Sequence, residues 1–324
     1  MNTTRTLQEL SAPEPALAEA EAMHLMAALL DDGLPELEQG AALALLEVRA
    51  CTLPLLVGFH SALQNHCFDL QPPRGRPRPV LLATHRAPRR RELNQLPLLA
   101  LLLQRLGMTV LVHGSLEGAA AAGSAHVFRE LGIMPCASLV QAQSRLDGQG
   151  LAFVPTAVLA PGLAALAARC TRLSGTRLAH LLARILDPYG GAALHVVATG
   201  GEAQGRLLAS FFQLTDKPAL LLEGTEGEPF ASARRRPALE FVHDGGAEML
   251  FPAEAGNARR YALPSAVDVR AASQWTSRAL RGELPLPLPL VNQVACCLYG
   301  TGHASDINQA KAIAALETGS LVTA

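Results

Sequence analysis

Seven short apolar runs, most of them separated by helical patterns, lie between residues 79 and 253. The runs are PVLLAT, MTVLVHG, GLAFVPT, AALHVVATG, PALLLEGTEG, ALEFVHDG and AEMLFPA. A strand that is apolar at every position is buried on both faces, and intervening helices are the connections that a parallel sheet requires. The sequence therefore predicts an α/β fold with a mostly parallel central sheet flanked by helices.

The first 70 residues have a different pattern. From Leu17 to Leu70, apolar residues recur at three- and four-residue spacing, and short polar turns divide the stretch into helices. We expect these helices to form a small antiparallel bundle. The first 16 or so residues are polar and contain two prolines, which predicts a loose arm. The segment QPPRGRPRP, which follows the bundle, predicts a linker.

A second helical stretch interrupts the strand series at residues 161–188, and it could return to the N-terminal bundle. The chain of 324 residues is long enough for two domains. The predicted division is a small all-helical domain at residues 1–75 and 157–188, and a larger α/β domain at residues 76–156 and 189–324.

Composition argues against a membrane or secreted protein. The longest apolar runs, such as LPLLALLL, are much shorter than the ~18 residues of a membrane-spanning helix. The N-terminus lacks a basic segment followed by an apolar one, so we expect a cytoplasmic protein without a membrane partner. The cysteines lack the spacing of a metal site, and we expect reduced thiols and no metal or cofactor. They are Cys51, Cys67, Cys136, Cys170, Cys296 and Cys297.

Positive charge is concentrated in arginine clusters. The net charge of −1 provides no general attraction for nucleic acid, and Lys217 and Lys311 are the only lysines. Adjacent like charges cost free energy unless water or an anion neutralises them, which makes the clusters candidate anion sites. The clusters are Arg74/Arg76/Arg78, Arg86/Arg89/Arg90/Arg91, Arg234/Arg235/Arg236 and Arg259/Arg260.

The most unusual cluster lies in the turn between the first predicted strand and the next helix, which is predicted to run from about Glu92 to Leu106. Such turns in α/β proteins usually bind phosphate through glycines and backbone N–H groups. This turn has no glycine and contains Arg86, Arg89, Arg90 and Arg91, which we call the arginine turn. Basic residues at a helix start oppose the helix dipole, at a cost of ~0.3–1 kcal/mol, so a compensating anion is expected. A solvated surface and a phosphate-binding site both fit the residues.

Other candidate residues are less specific. Further candidates for phosphate contact are Arg74 and Arg76 on the linker, Arg234 and Arg235 after a loop, and Arg177 and Arg184 on a helix. Their alternative roles are solvation of the linker and a structural ion pair in the helix. His85 and His113 are expected at the ends of adjacent strands, but no Asp or Cys stands at metal-ligand spacing. Aromatic residues are few, so binding to the phosphate backbone is favoured over base readout.

The order of these elements resembles the anthranilate phosphoribosyltransferase family, whose fold is shared with pyrimidine nucleoside phosphorylases. The resemblance covers roughly residues 34–321. LEQGAALALLEVRACTLPLLVGFHSAL resembles the family's second and third helices. VLVHGSLEGAAAAGSAHVFRELGI is similar to the strand, loop and helix with the family's Lys-His-Gly-Asn-Arg motif. LAHLLARILDP matches the length and terminal proline of the Asn-Leu-Leu-Gly-Pro-Leu-Thr-Asn-Pro segment.

The chain departs from the family at the residues that bind substrate. Family enzymes hold phosphoribosyl pyrophosphate on a Gly-Thr-Gly-Gly-Asp turn, and the matching positions here are Ala83, Thr84, His85, Arg86 and Ala87. Side chains therefore stand where backbone amides would approach the pyrophosphate. Of the Lys-His-Gly-Asn-Arg motif, His113 and Gly114 remain, and the changed positions are Val112, Ser115 and Leu116.

Two further family features are altered. Near the Asp-Glu pair that holds magnesium, the chain has Pro229 and Phe230, with Glu226 and Glu228 slightly displaced. A Pro-Phe pair cannot complete the oxygen shell of magnesium. The arginine that would bind the anthranilate carboxylate aligns near Thr176, with Arg177 one residue away.

This pattern resembles a branch of the family composed of non-catalytic, homodimeric proteins that bind DNA or RNA without sequence specificity. The segments that carry the resemblance are TEGEPFA, LQNHCFDLQPPRGRPRPV, VACCLYGTG, and LPLLALLLQRLG followed by VLVHG. It implies sequence-independent nucleic-acid binding and a homodimer formed through the helical domain. It also implies a substrate cleft inherited without catalytic residues, whose members here would be Thr84, His85, His113, Gly114 and Ser115.

Two alternatives stay open. The first is a phosphoribosyltransferase or a phosphorylase with a rebuilt phosphate loop and a different substrate, and a phosphorylase would tolerate the missing magnesium acids. The second is an interaction protein whose arginines bind an acidic partner. The residues leave open whether a small molecule still enters the cleft.

Overall fold

The structure is a computed structural model that describes residues 3–12, 17–84, 92–116, 123–254, 261, 263–264 and 268–319. Contacts divide the chain into two compact units. Unit 1 comprises Met1–Leu70 and Thr156–Gly190, and unit 2 comprises Gln71–Pro155 and Gly191–Ala324. The start of the predicted linker belongs to unit 2, because Gln71 N–H donates to Gln143 Oε1 (2.9 Å) and Gln143 Nε2 donates to Gln71 O (2.9 Å).

Unit 1 is built of helices over its described residues. These are α1 (Thr3–Ser11), α2 (Glu19–Leu30), α3 (Glu36–Val48), α4 (Leu53–Asn65), α8 (Thr156–Leu159), α9 (Pro161–Arg172) and α10 (Arg177–Ile185). Helices α2 and α4 pack closely because Gly58 has no side chain. A Cβ atom at Gly58 would lie 2.8 Å from Ala22 Cβ and would overlap the carbonyl oxygen of Glu19.

The prediction of a loose N-terminal arm is wrong for the residues that form α1. Leu10 is 1% exposed and Thr6 is 6% exposed, and α1 packs against α3. Arg49 Nη2 also donates to Ser11 O (2.6 Å). A short polar helix obtains most of its stability from such packing, which the sequence pattern of the segment does not reveal.

Unit 2 contains a seven-stranded sheet in the order β3-β2-β1-β4-β5-β6-β7. The strands are β1 (Val80–Ala83), β2 (Val110–Gly114), β3 (Leu151–Pro155), β4 (Leu194–Thr199), β5 (Ala219–Glu223), β6 (Leu239–His243) and β7 (Gly246–Phe251). Strands β1 to β5 are parallel, and β6 and β7 continue the sheet in antiparallel pairing. The predicted α/β class with a mostly parallel sheet is confirmed.

The parallel strands define two edges of the sheet in unit 2. We call the edge where β1 to β5 end the carboxyl edge, and the edge where they begin the amino edge. At the carboxyl edge, Ala83 of β1 pairs with His113 of β2, and Thr199 of β4 pairs with Glu223 of β5. The loops that follow these strands therefore meet at the carboxyl edge, where α/β proteins place their ligands.

Helices cover the sheet. The described helices of unit 2 are α5 (Leu96–Arg105), α6 (Ser124–Glu130), α7 (Leu139–Gln149), α11 (Glu202–Leu214), α12 (Val269–Leu280), α13 (Leu288–Gly300) and α14 (Ile307–Thr318). One core joins Val112 and Leu220 of the sheet to Leu99 of α5 and Val294 of α13. Helix α11 packs on β4, β5 and β6. The sheet is thus a rigid support for the loops at its carboxyl edge.

Two elements differ from their predictions. Helix α5 begins at Leu96 rather than near Glu92, because Asn94 Oδ1 accepts from Leu96 N–H (3.2 Å) and Asn94 Nδ2 donates to Ser124 Oγ (2.9 Å). Helix α7 was not predicted. Its buried apolar side chains are Ala142 and Leu146 alone, which is too weak a periodic signal to recognise.

The structure bears on the membrane and cysteine predictions. Within the described ranges, no helix has the length and apolar character needed to cross a membrane. All six cysteines lie in described residues and are free thiols. Burial raises the pKa of Cys297 to about 12, so this thiol stays protonated at neutral pH.

Candidate functional site

Strands β1 and β2 end side by side at the carboxyl edge. Thr84 N–H donates to His113 O (2.7 Å), and Thr84 is 6% exposed. A Cβ atom at position 114 would lie 2.8 Å from Thr84 O and would overlap the Thr84 hydroxyl, so Gly114 permits this approach. Ser115, the next residue, is exposed. Three of the predicted cleft residues, Thr84, His113 and Gly114, are therefore in contact or adjacent.

His113 is a buried, neutral histidine. It is 0% exposed, and neither ring nitrogen has a hydrogen-bond partner in the part of the chain that the structure describes. Burial, and secondarily the nearby His195, lowers the pKa of His113 to about 3. A neutral imidazole does not attract a phosphate by charge, so His113 acts in packing here.

The arginine turn lies outside the described residues. This applies to His85, Arg86, Arg89, Arg90 and Arg91, and the predictions made for them stay predictions. The residues on either side are described. Thr84 follows β1 at the carboxyl edge, and the Glu92 carboxylate accepts a hydrogen bond from Ser232 Oγ (2.8 Å). This bond connects the residue after the turn to the loop between β5 and β6.

Helix α13 holds the loop between β5 and β6 through two hydrogen bonds of the Gln293 side chain. Gln293 Nε2 donates to Pro229 O (2.8 Å), and Ala231 N–H donates to Gln293 Oε1 (2.8 Å). Phe230, between these two residues, is fully buried. Gln293 itself is 0% exposed, so both hydrogen bonds are shielded from water. The backbone that leads into the Arg234–Arg236 cluster is thus held in one conformation.

The three arginines of this cluster have different surroundings. Arg234 is exposed, and its side chain forms no ion pair or hydrogen bond with a described residue. Arg235 Nη2 pairs with Glu223 Oε1. Arg236 is 12% exposed, pairs with a second acid, and lies over an aromatic ring. Its partners are Pro252 O at 3.2 Å, Glu254 Oε2 at 3.3 Å and the Phe251 ring centroid at 5.4 Å. Arg234 and Arg235 are therefore exposed to solvent, Arg235 as part of an ion pair, and Arg236 is structural.

The acids near the expected magnesium position lie in a closed turn. Thr225 N–H donates to Glu228 O (3.1 Å), and Glu228 N–H donates back to Thr225 O (3.0 Å). Glu228 is 0% exposed, and Glu226 is half-buried in a left-handed backbone conformation at φ 54°. Over the described ranges, no three His, Cys, Asp or Glu side chains are grouped so that they could hold a metal ion.

The linker arginines lie at the opposite edge of the sheet, because they precede β1. Arg76 Nη2 donates to Asp147 O (3.1 Å), and Arg78 Nη1 donates to Gly300 O (3.2 Å). Arg74 is exposed. Strand β1 alone spans about 13 Å, so the linker arginines and the Arg234–Arg236 cluster form separate surfaces.

The two candidates in unit 1 lie on α10. Arg177 Nη2 donates to Leu46 O (3.3 Å) and to Arg49 O, at the end of α3. The Glu47 carboxylate accepts from Thr176 N–H (2.7 Å) and Arg177 N–H (2.5 Å), so an internal anion already binds the start of α10. Arg184 is half-buried near the other end of the helix. Phosphate contact by these two arginines stays a prediction.

Sequence reasoning missed the residues that shape the site. Glu92, Ser232, Gln293 and Glu223 were not identified, because their partners are distant in sequence. One signal was present for Gln293, which lies in the apolar helix LPLVNQVACCLYG. A polar residue in such a run is usually buried and hydrogen-bonded.

Comparison with known proteins places the chain in a family. No family model matches the sequence. The uncharacterised protein YbiB of Escherichia coli (strain K12) is 34% identical over 285 residues, which is 88% of this chain and 88% of YbiB.

Solved structures show the fold. Anthranilate phosphoribosyltransferase (TrpD) from Thermus thermophilus has a TM-score of 0.78 at 19% identity, covering 98% of this chain and 95% of that chain. The Saccharomyces cerevisiae enzyme in complex with PRPP and Mg has a TM-score of 0.75 at 12% identity, covering 98% and 92%. The predicted anthranilate phosphoribosyltransferase-like fold is confirmed, and by its similarity to YbiB the chain belongs to the YbiB family.

Proposed function

We propose that this protein binds DNA or RNA through phosphate groups, without sequence specificity, at the carboxyl edge of unit 2. The observation that carries the proposal is the arrangement of arginines there. Arg234 and Arg235 are exposed on a loop that Gln293 holds rigid. The Ser232–Glu92 hydrogen bond joins this loop to the residue that follows the arginine turn.

The same edge supports a polymer ligand better than a small phosphorylated substrate. The chain lacks the glycines that would let backbone amides approach a pyrophosphate. Glu228 is buried in a closed turn, where it cannot reach a metal bound to a substrate in solvent. Arginine side chains extend further than backbone amides and suit phosphates on the outside of a large ligand.

We also propose that the protein forms a homodimer through α3. Four apolar side chains lie on the exposed face of this helix at spacings of four, three and four residues: Leu37, Ala41, Ala44 and Val48. Leu37 is 87% exposed and Val48 is 76% exposed. A stripe at this spacing suits packing against a second copy of the same helix. Substituting Leu37→Glu and Val48→Glu should yield monomers in analytical ultracentrifugation, and a native protein that sediments as a monomer would contradict the proposal.

Nucleic-acid binding is tested by fluorescence anisotropy with labelled single- and double-stranded oligonucleotides of unrelated sequence. Salt is varied over about 50–300 mM, because each neutralised phosphate releases counterions and weakens binding as salt rises. We expect submicromolar, sequence-indifferent binding at low salt. The variant Arg89→Glu/Arg90→Glu/Arg91→Glu should bind at least about tenfold more weakly, because three phosphate contacts are replaced by repulsion.

A charge-matched control separates a local site from general electrostatics. Arg278 and Arg281 are 53% and 60% exposed and lie near the end of α12, at the amino edge rather than the carboxyl edge. Arg278→Glu/Arg281→Glu should bind nearly as the native protein does, and Arg234→Glu/Arg235→Glu, with the same charge change, should not. Absence of binding at the lowest salt would overturn the proposal and favour an acidic protein partner or a small-molecule substrate.

A further inference from the structure

We propose that Glu223 is an internal competitor for the nucleic-acid phosphate. It holds Arg235 in the free protein, and a phosphate group must displace it from Arg235 on binding. This inference rests on the proposed function and adds a regulatory element to the same site.

The position of Glu223 makes it a competitor rather than a structural anchor. It is the last residue of β5, at the carboxyl edge, and its carboxylate accepts a hydrogen bond from Arg235 Nη2. The side chain of Glu223 is 51% exposed, and that of Arg235 is 55% exposed. Water and dissolved ligands therefore reach both partners. An ion pair this exposed adds little stability, so a second anion can replace the carboxylate.

The neighbouring arginines show that this arrangement is particular to Arg235. The Arg234 side chain forms no hydrogen bond or ion pair within the described residues, so nothing described has to be displaced from it. Arg236 is 12% exposed, and its guanidinium is held by the loop and by Glu254. Among the described residues, the Arg234 side chain is thus unpaired, Arg235 forms an exposed ion pair with Glu223, and Arg236 is held in place by the loop and by Glu254.

Displacement of Glu223 affects both the affinity and the kind of ligand. A phosphate at Arg235 pairs with a guanidinium whose charge was already balanced, and it approaches a carboxylate that repels it. A ligand with one phosphate gains little from this exchange. A polymer bound first at Arg234 presents further phosphates at high local concentration and can displace the carboxylate. Glu223 therefore favours polyanions over single phosphates.

The test compares two variants with the same charge change. Glu223→Gln removes the carboxylate from Arg235 and retains a side chain of similar size. The control is Glu283→Gln. The Glu283 carboxylate accepts hydrogen bonds from Arg278 Nε (3.1 Å) and Arg281 Nε (2.5 Å), so this substitution releases both arginines from their acid. Glu283 follows the end of α12. The last residue of that helix, Leu280, accepts a hydrogen bond through its carbonyl oxygen from Arg105 Nη1 at the end of α5 (2.6 Å). Helix α5 runs from the carboxyl edge back to the amino edge, so the control lies at the amino edge.

A labelled oligonucleotide of about 20 nucleotides is titrated with the native protein and with each variant across a salt series, and binding is measured by fluorescence anisotropy. We expect Glu223→Gln to bind about three- to fivefold more tightly than the native protein, as the loss of an exposed ion pair allows. The slope of log K against log salt should steepen by about 1, since one more arginine is free to release a counterion from a phosphate. Glu283→Gln should match the native protein. Inorganic phosphate should displace the oligonucleotide from Glu223→Gln at a lower concentration than from the native protein.

The outcomes separate this inference from the function on which it rests. If the native protein binds and Glu223→Gln binds with the same affinity and slope, or if Glu283→Gln gives an equal gain, Glu223 is not a competitor and the proposed function stands. If only Glu223→Gln binds, Glu223 blocks the site in the native protein, so the inference is supported and nucleic-acid binding by the native protein is overturned. If neither binds, both proposals are overturned. Equal thermal unfolding midpoints show that each variant is folded.

Discussion

At the scale of single residues, neighbouring side chains of one charged cluster have different roles. The sequence identifies Arg234, Arg235 and Arg236 as a group, but it does not distinguish them. Their differences come from Glu223, Glu254 and Phe251, which tertiary structure brings to them. A charge pattern therefore predicts where an anion can bind, and only the contacts show which arginines are available.

We predict that Arg236→Gln lowers the stability of the protein and that Arg234→Gln weakens its binding to oligonucleotides. Arg236→Gln removes an ion pair and a cation–π contact from a mostly buried side chain and should lower the free energy of unfolding by about 1–2 kcal/mol. Arg234→Gln should leave stability unchanged and weaken oligonucleotide binding. Urea unfolding and anisotropy titration measure the two effects. Equal stabilities for the two variants would contradict the structural role of Arg236.

His113 gives a pH dependence of stability. Its folded-state pKa, about 3, is lower than the value of a histidine in the unfolded chain, about 6.5. The unfolded state therefore binds the proton more readily, so the contribution of His113 is full above about pH 6.5 and is lost as the pH falls towards 3.

We predict that His113→Leu reduces this acid sensitivity. Within the window from pH 6 to 4, one such histidine lowers the free energy of unfolding by about 1.4 kcal/mol per pH unit. The variant should lose pH dependence by about that amount in urea unfolding measured over the same window. Because burial also lowers the pKa of His180, to about 4, the remaining slope is not zero. A variant with the native pH profile would show that His113 is not the buried neutral group.

At the scale of secondary-structure elements, strong and long patterns were predicted and weak ones were not. All seven strands were predicted, because apolar runs between turns are a clear signal. Helix α1 was missed because its stability depends on burial of Leu10 against α3, and α7 because few of its residues are apolar. The start of α5 was placed too early because Asn94 binds the backbone of Leu96 and delays the helix.

Two adjacent residues of α13 provide a test of how the site loop is held. Gln293 makes two buried hydrogen bonds to the loop, whereas both side-chain polar atoms of Asn292 lack a partner in the described structure. We predict that Gln293→Leu lowers the free energy of unfolding by at least about 2 kcal/mol, because it leaves the Ala231 N–H and Pro229 carbonyl unpaired.

Asn292→Leu is the matched control. It removes a buried amide that makes no hydrogen bond with a described residue, so it should be neutral or stabilising. Calorimetric unfolding of the two variants measures the difference. If Asn292→Leu destabilises the protein as much as Gln293→Leu does, the two hydrogen bonds are not what fixes the loop.

At the scale of the whole molecule, basic residues form local clusters without an excess of positive charge. Unit 2 has the exposed Arg234 and Arg235 at its carboxyl edge. Near the amino edge, burial raises the pKa of Tyr299, and the negative charges of Glu248, Asp306 and Asp244 raise it further. A net charge of −1 is therefore compatible with a basic surface at one edge. The family resemblance predicted the fold. The linker arginines and the Arg234–Arg236 cluster lie at opposite edges of the sheet because of its topology. The positions of basic residues in the sequence do not show this separation.

The most direct test of the account is the salt dependence of nucleic-acid binding by the native protein. If the arginine turn and the exposed arginines at the carboxyl edge contact phosphates, log K for a 20-base-pair duplex should fall linearly with log salt with a slope of about −3 to −5, as expected for several neutralised phosphates. Duplexes of unrelated sequence should give the same line. A slope near zero, no binding at about 50 mM salt, or a strong dependence on sequence would contradict phosphate-directed binding at this edge.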